Sequence, residues 1–216
     1  CCHNPCGADL SLEQWRVIAE LAERQGFTPF VDFAYQGMGV GLDEDAAGLR
    51  LLVSRLPEVI VASSCSKNLG LYRERTGAAI FVCADAANAR AVLSQAQSAA
   101  RRVYSMPPAH GALLAGRVFN DDVLGALWRE ELSAVCERIN GLRSSLRHAL
   151  ESRCGGNFAF IETEKGMFSF LGLSAEQAQR LRNDYSVYML DSSRINVAGV
   201  NAGNLDYIAE AVAGVL

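Results

Sequence analysis

The chain has 216 residues, 50% of them hydrophobic, with 20 basic against 24 acidic side chains and a formal net charge of -4. That composition belongs to a globular protein with enough chain to bury a sizeable core, and it offers neither a broad basic field for nucleic acid nor a block of like charges. No stretch reaches the roughly 18 to 20 uninterrupted apolar residues of a membrane span, and the first residues lack the charged and apolar regions of a signal peptide, so the expected location is cytoplasmic.

At the start of the chain, Cys1, Cys2, His3 and Cys6 have the chemistry of zinc ligands, yet no second ligand pair follows at finger or ribbon spacing. Pro5 and Gly7 instead make this stretch read as the end of a strand entering a turn, and no metal is expected. Together with Cys65, Cys83, Cys136 and Cys154 these cysteines total seven, an odd number scattered among apolar neighbours, which suits reduced thiols better than a disulfide framework.

Apolar residues at 12, 15, 17, 18, 21 and 22 predict a helix from Ser11 to Gln25, stopped by Gly26. Phe30 to Ala34 reads as a buried strand, Asp43 to Leu56 as a helix, Val59 to Ser63 as a wholly apolar strand, and Gly77 to Cys83 as a strand followed by a helix from Asp85 to about Arg102. Helices alternating with short apolar strands imply an α/β fold with a mainly parallel, doubly covered sheet. Pro107 and Pro108 break the pattern. Beyond them, Ala109 to Arg153 reads as mostly helical, with Asp121 and Asp122 as candidate caps of a long helix carrying Leu124, Leu127, Trp128, Leu132, Val135, Ile139, Leu142 and Leu146. Strands are expected at Phe158 to Ile161, Met167 to Leu171, Val187 to Leu190 and Arg194 to Ala198, with helices from Ser174 and at the C-terminus, a small α+β module.

Several polar residues stand out against this frame. The apolar run Val59 to Ala62 delivers Lys67 to the end of a strand, where open α/β folds bind ligands, and partial desolvation there would lower the amine's pKa as a Schiff-base lysine requires. A solvated lysine on an amphipathic stem is the plainer reading of that residue alone. Asp32 lies inside an otherwise apolar strand, where a buried carboxylate needs a positive partner, although a strand-terminal Asp also caps turns. Tyr35 follows three residues later. Ser64, Ser66 and Arg75 offer two hydroxyls and a planar guanidinium, a set suited to phosphate. Arg194 is the only charged residue between Asp191 and Asp206 and precedes an apolar run, which suits carboxylate binding or a structural ion pair equally.

Six segments in order carry a family resemblance: His3-Asn4-Pro5-Cys6-Gly7; Asp32-Phe33-Ala34-Tyr35-Gln36-Gly37; Ser64-Cys65-Ser66-Lys67-Asn68 with Leu71-Tyr72-Arg73-Glu74-Arg75; Ser105-Met106-Pro107-Pro108; Gly166-Met167-Phe168-Ser169; and Ser193 to Gly199. The chain resembles the aspartate and aromatic amino acid branch of the class I aminotransferases, fold-type I enzymes that use pyridoxal phosphate. The resemblance implies residues 1–120 as the C-terminal part of a large cofactor-binding domain and 121–216 as a linking helix plus a small α+β domain.

It further implies that Lys67 anchors pyridoxal phosphate and acts as general base, and that Asp32 bonds the ring nitrogen. Asn4 and Tyr35 would bond the ring oxygen, while Ser64, Ser66 and Arg75 hold the phosphate. Arg194, with Asn4, would bind the substrate α-carboxylate. Arg101 matches the arginine that such homodimers lend to the neighbour's site for a dicarboxylate side chain, so the implied substrates are aspartate or an aromatic amino acid with 2-oxoglutarate as acceptor. Two positions depart from the pattern: Cys6 stands where threonine is common, and Met106 where aspartate enzymes often have asparagine.

Members of that group are nearly twice as long. The expectation is therefore a C-terminal part whose sheet keeps an exposed apolar edge. A catalytically incomplete module with a structural or interaction role stays open beside the enzyme, as does another reaction of the same cofactor such as β-decarboxylation.

Overall fold

Ser11 opens the first helix, α1 (Leu12–Gln25), through a capping box: its hydroxyl accepts the Gln14 N–H at 3.2 Å while the Gln14 side chain accepts the Ser11 N–H at 2.8 Å. Gly26 closes α1 in the left-handed region at φ 72°. The computed structural model describes residues 1–216, and these fall into two compact units, one made of Leu10–Gln36 and Leu42–Leu132, the other of Cys1–Asp9, Gly37–Gly41 and Ser133–Leu216.

In the first unit, α1 is followed by β1 (Phe30–Phe33), α2 (Leu42–Asp45), α3 (Ala47–Arg55), β2 (Val59–Ser64), β3 (Gly77–Val82), α4 (Ala86–Tyr104), α5 (His110–Phe119) and the first part of α6 (Asp122–Cys154). The helix expected from Asp43 to Leu56 is thus two helices, broken at Ala46, whose residue is buried and carries no side-chain cap. α1 packs on α3. The indole of Trp15 fills the space above Gly48 so closely that a Cβ there would lie 2.3 Å from Nε1. Any side chain at position 48 would drive the two helices apart.

The sheet has the order β1-β2-β3. β1 and β2, joined through helices, run parallel with Asp32 opposite Ala62; β2 and β3 run antiparallel with Ser64 opposite Gly77. No helix lies between β2 and β3, so the chain returns without the crossover that a parallel pair needs. One sheet face buries Val31, Phe33, Val59 and Val61. The other aligns Phe30, Ile60 and Phe81 in one row across all three strands, with Phe30 69% and Phe81 40% exposed. β3 forms one edge of the sheet, and its Ile80 is 47% exposed.

The second unit holds the remainder of α6, then α7 (Phe160–Thr163), β4 (Phe168–Phe170), α8 (Ala175–Tyr185), β5 (Arg194–Asn196), a 3-10 turn (Val197–Gly199) and α9 (Leu205–Val215). β4 and β5 pair antiparallel, with Phe170 opposite Arg194. Leu146 and Leu150 from α6, Ile161, Leu181 and Val212 form a fully buried core. Two expected strands are absent. Residues 158–161 enter the short helix α7, because Asn157 accepts the Ala159 N–H at 3.0 Å and turns the chain. Residues 187–190 leave the end of α8, where the Val187 N–H returns to the Leu181 carbonyl at 2.9 Å and Arg182 takes the Met189 carbonyl at 2.7 Å. Their polar backbone is satisfied without a ladder.

Candidate active site

In the first unit, the carboxyl ends of the parallel strands β1 and β2 carry the residues with chemistry, the position at which open α/β sheets bind ligands. After Ser64 the chain turns. The Ser66 N–H donates to Ser64 Oγ at 3.1 Å, the Cys65 N–H to the Thr76 carbonyl at 3.0 Å, and the Gly70 N–H to the Lys67 carbonyl at 3.2 Å. The Cys65–Thr76 bond lays the backbone of the Ser64–Ser66 segment against that of the Arg75–Gly77 segment. Ser66 is buried. Arg75 itself sits in the left-handed region at φ 53° and donates to the Tyr72 carbonyl at 3.0 Å, a costly conformation for a residue with a Cβ.

Lys67 Nζ lies 4.5 Å from the centroid of the Tyr35 ring, within cation–π range. Tyr35 is 7% exposed, so the ring is a fixed wall for the amine. Burial pushes the Cys65 thiol up. From α6, Trp128 Nε1 donates to the Asn68 carbonyl at 2.7 Å and pins the residue after Lys67. Trp128 reads in the sequence only as one apolar member of a helical stripe; its bond to the lysine turn has no sequence signal.

Asp32 departs from expectation. It is exposed on β1, between the buried Val31 and Phe33, because alternate side chains of a strand point to opposite faces. The premise of a carboxylate buried in an apolar strand is therefore corrected: Asp32 stands on the open face, in line with Ala62 and near the strand end. Arg101 lies exposed in the last turn of α4, where a cation suits the helix C-terminus, and its side chain makes none of the bonds that tie the Lys67 turn.

In the second unit, Arg194 Nη1 donates to Asn4 Oδ1 at 3.1 Å, and the guanidinium lies 4.9 Å from the Phe168 ring. Stacking on an aromatic face and one amide bond orient the fork while other N–H groups stay available for a carboxylate. Ser193, at φ 66° and buried, accepts the Leu173 N–H on its hydroxyl at 3.0 Å and so sets the angle at which Arg194 leaves the chain. Asn4 belongs to the turn predicted at His3 to Gly7, closed by the Gly7 N–H to the His3 carbonyl at 2.7 Å. His3 Nδ1 and Cys6 Sγ are 3.0 Å apart in that turn, and all seven cysteines are free thiols.

Arg143, buried in α6, does not stand out among the functional residues in the sequence. A signal existed: position 143 falls four residues after Ile139 and three before Leu146, on the apolar stripe itself.

The pattern described as "Aminotransferase class I and II" matches residues 1–212. The aromatic-amino-acid aminotransferase of Paracoccus denitrificans is 46% identical over 98% of this chain and 54% of its own length. The aspartate aminotransferase of Salmonella typhi is 47% identical over 100% of this chain and 55% of its own. Among solved structures, the aromatic-amino-acid aminotransferase of Burkholderia pseudomallei, described as covalently bound to pyridoxal phosphate, superposes with a TM-score of 0.97 at 40% identity, over 100% of this chain and 54% of that one. The chain thus spans about half the length of the relatives it matches. With the motifs in order, the fold shared and the match running almost end to end, the chain belongs to the class I and II aminotransferase family.

Proposed function

We propose that the protein is a pyridoxal phosphate-dependent transaminase, moving an amino group from aspartate or an aromatic amino acid to 2-oxoglutarate. The observation that carries this reading is the Lys67 amine set over the Tyr35 ring just after β2, in the turn that also holds Ser64 and Ser66. That donor set fits the cofactor's chemistry: hydroxyls and a guanidinium for a phosphate, an amine for a carbonyl, a phenol for a ring oxygen and an exposed carboxylate for a ring nitrogen.

When bound, pyridoxal phosphate supplies a conjugated ring that withdraws electrons from the substrate Cα. Lys67 would hold the cofactor through its amine and would serve as the base for the proton at the substrate Cα. Asp32 would bond the ring nitrogen. Ser64, Ser66 and Arg75 bind the phosphate. Arg194, with Asn4 beside it, binds the α-carboxylate. Arg101 serves the side-chain carboxylate of a dicarboxylic substrate in the neighbouring subunit of a homodimer. Location in the cytoplasm, and a division into a cofactor domain (1–120) and a linking helix with small domain (121–216), form part of the same reading.

The chain contains only two lysines, Lys67 and Lys165. Borohydride reduction of the protein with pyridoxal phosphate is expected to fix the label on Lys67, read by peptide mass spectrometry; a label on Lys165 alone overturns the assignment.

A second reading is favoured by one observation, the open apolar row Phe30-Ile60-Phe81: the chain acts as an interaction module with no catalysis of its own. Transamination of aspartate by residues 1–216 alone would exclude it.

A further inference from the structure

Arg143 is 1% exposed in the middle of α6. Burial pulls its guanidinium below the ordinary arginine range, against the pull of Glu164. Every edge of the fork is used. Nε donates to the Gly166 carbonyl at 3.0 Å. Nη1 donates to the Ile161 carbonyl at 2.8 Å and the Glu164 carboxylate at 3.4 Å. Nη2 donates to the carbonyls of Lys165 at 3.2 Å, Gly166 at 2.7 Å and Phe168 at 2.6 Å. An apolar side chain would fill this place on the stripe without the cost of burying a charge. What only the guanidinium does is draw the carbonyls of segment 161–168 to one point.

That segment is the seat of the Arg194 pair. On one side it supports the turn bearing Asn4. The Lys165 N–H donates to the Gly7 carbonyl at 2.7 Å, and a Cβ on Gly7 would lie 2.3 Å from the Phe168 carbonyl and 3.1 Å from Arg143 Nη2. A Cβ on Gly166 would likewise lie 2.5 Å from Cys2 Cβ. On the other side the segment runs into β4, whose Phe168 ring carries the Arg194 guanidinium and whose Phe170 pairs with Arg194. The Asn4 and Arg194 side chains thus meet at 3.1 Å from two supports that share one tether.

We infer that Arg143 is a positioning residue that fixes the Asn4–Arg194 pair for carboxylate recognition. The inference rests on the carboxylate role proposed for Arg194. It is tested on the full chain, in wild type, Arg143→Lys and Arg143→Gln, by titration with succinate, a dicarboxylate without an amino group, and by amide hydrogen exchange. Arg143→Lys weakens succinate binding by about tenfold, as expected for loss of hydrogen bonds to a charged group, and Arg143→Gln by more. Exchange rises in residues 2–8 and 166–170 while α8 and α9 keep wild-type protection. Unchanged exchange in those two segments, or wild-type succinate affinity in a variant that has loosened there, overturns the inference. An equal rise throughout α8 and α9 makes Arg143 a residue of general stability and overturns it too. A wild-type chain that fails to bind succinate refutes the role of Arg194 itself, and the exchange pattern then decides alone for Arg143.

Discussion

Glu164 is a half-buried carboxylate beside Arg143, with the Ser169 hydroxyl donating to it. Burial pushes its carboxyl above the ordinary range by more than Ser169 and Arg143 draw it down. The folded chain therefore holds that proton more tightly than the unfolded chain does. The stabilising contribution is present below the unfolded carboxylate pKa and is lost as pH rises through the raised value. Relative to Glu164→Gln, the wild-type melting temperature is expected to improve as pH falls from neutral to about 4, the ordinary carboxylate range; a pH-independent difference between the two proteins would sink the argument. At this scale the sequence was readable where chemistry clusters along the chain, as at Ser64, Ser66 and Lys67. It misled at Asp32, because an apolar strand does not declare which of its faces is open. Arg143 showed only as a charged residue on the apolar stripe of α6, because most of its partners are backbone carbonyls, which every sequence contains.

Helix boundaries were legible wherever a side chain caps them. Ser11 and Ser174 each stand three residues before a glutamine and each forms a full capping box, and Asp121 accepts the N–H groups of Val123 and Leu124 at 3.1 Å to start α6. Short apolar runs were not legible, since four residues fit a strand or a helical turn equally and the choice falls to distant donors such as Arg182. α6 also reaches the lysine turn through Trp128, whose ring meets Phe119 edge-on at 5.3 Å between centroids. Trp128→Phe keeps the aromatic contact and removes the indole donor. It should cost about 1 kcal/mol in chemical denaturation and raise hydrogen exchange at residues 65–70, and a variant with wild-type exchange there would show that the bond does not hold the turn.

At the scale of the molecule, the sheet is covered on one face along β1 and β2 while β3 is exposed on both, and α4 contains no buried residue along its whole length. Alternation of helices and strands announced the α/β class, but the direction of β3 depended on the missing crossover between β2 and β3 rather than on the strand's own composition. Exposed apolar rows of this kind favour association. Phe81→Lys should lower light scattering at high protein concentration while leaving the unfolding midpoint nearly unchanged; undiminished scattering would show that self-association arises elsewhere.

Trp128 has one more property. The chain has two tryptophans, Trp15 against Gly48 and Trp128 bonded to the residue that follows Lys67. With Trp15 replaced by phenylalanine, the remaining indole becomes a fluorophore wired to the lysine turn. A chromophore attached at Lys67 would then quench emission that the protein itself supplies, so occupancy of the amine could be followed optically with no turnover and no external dye.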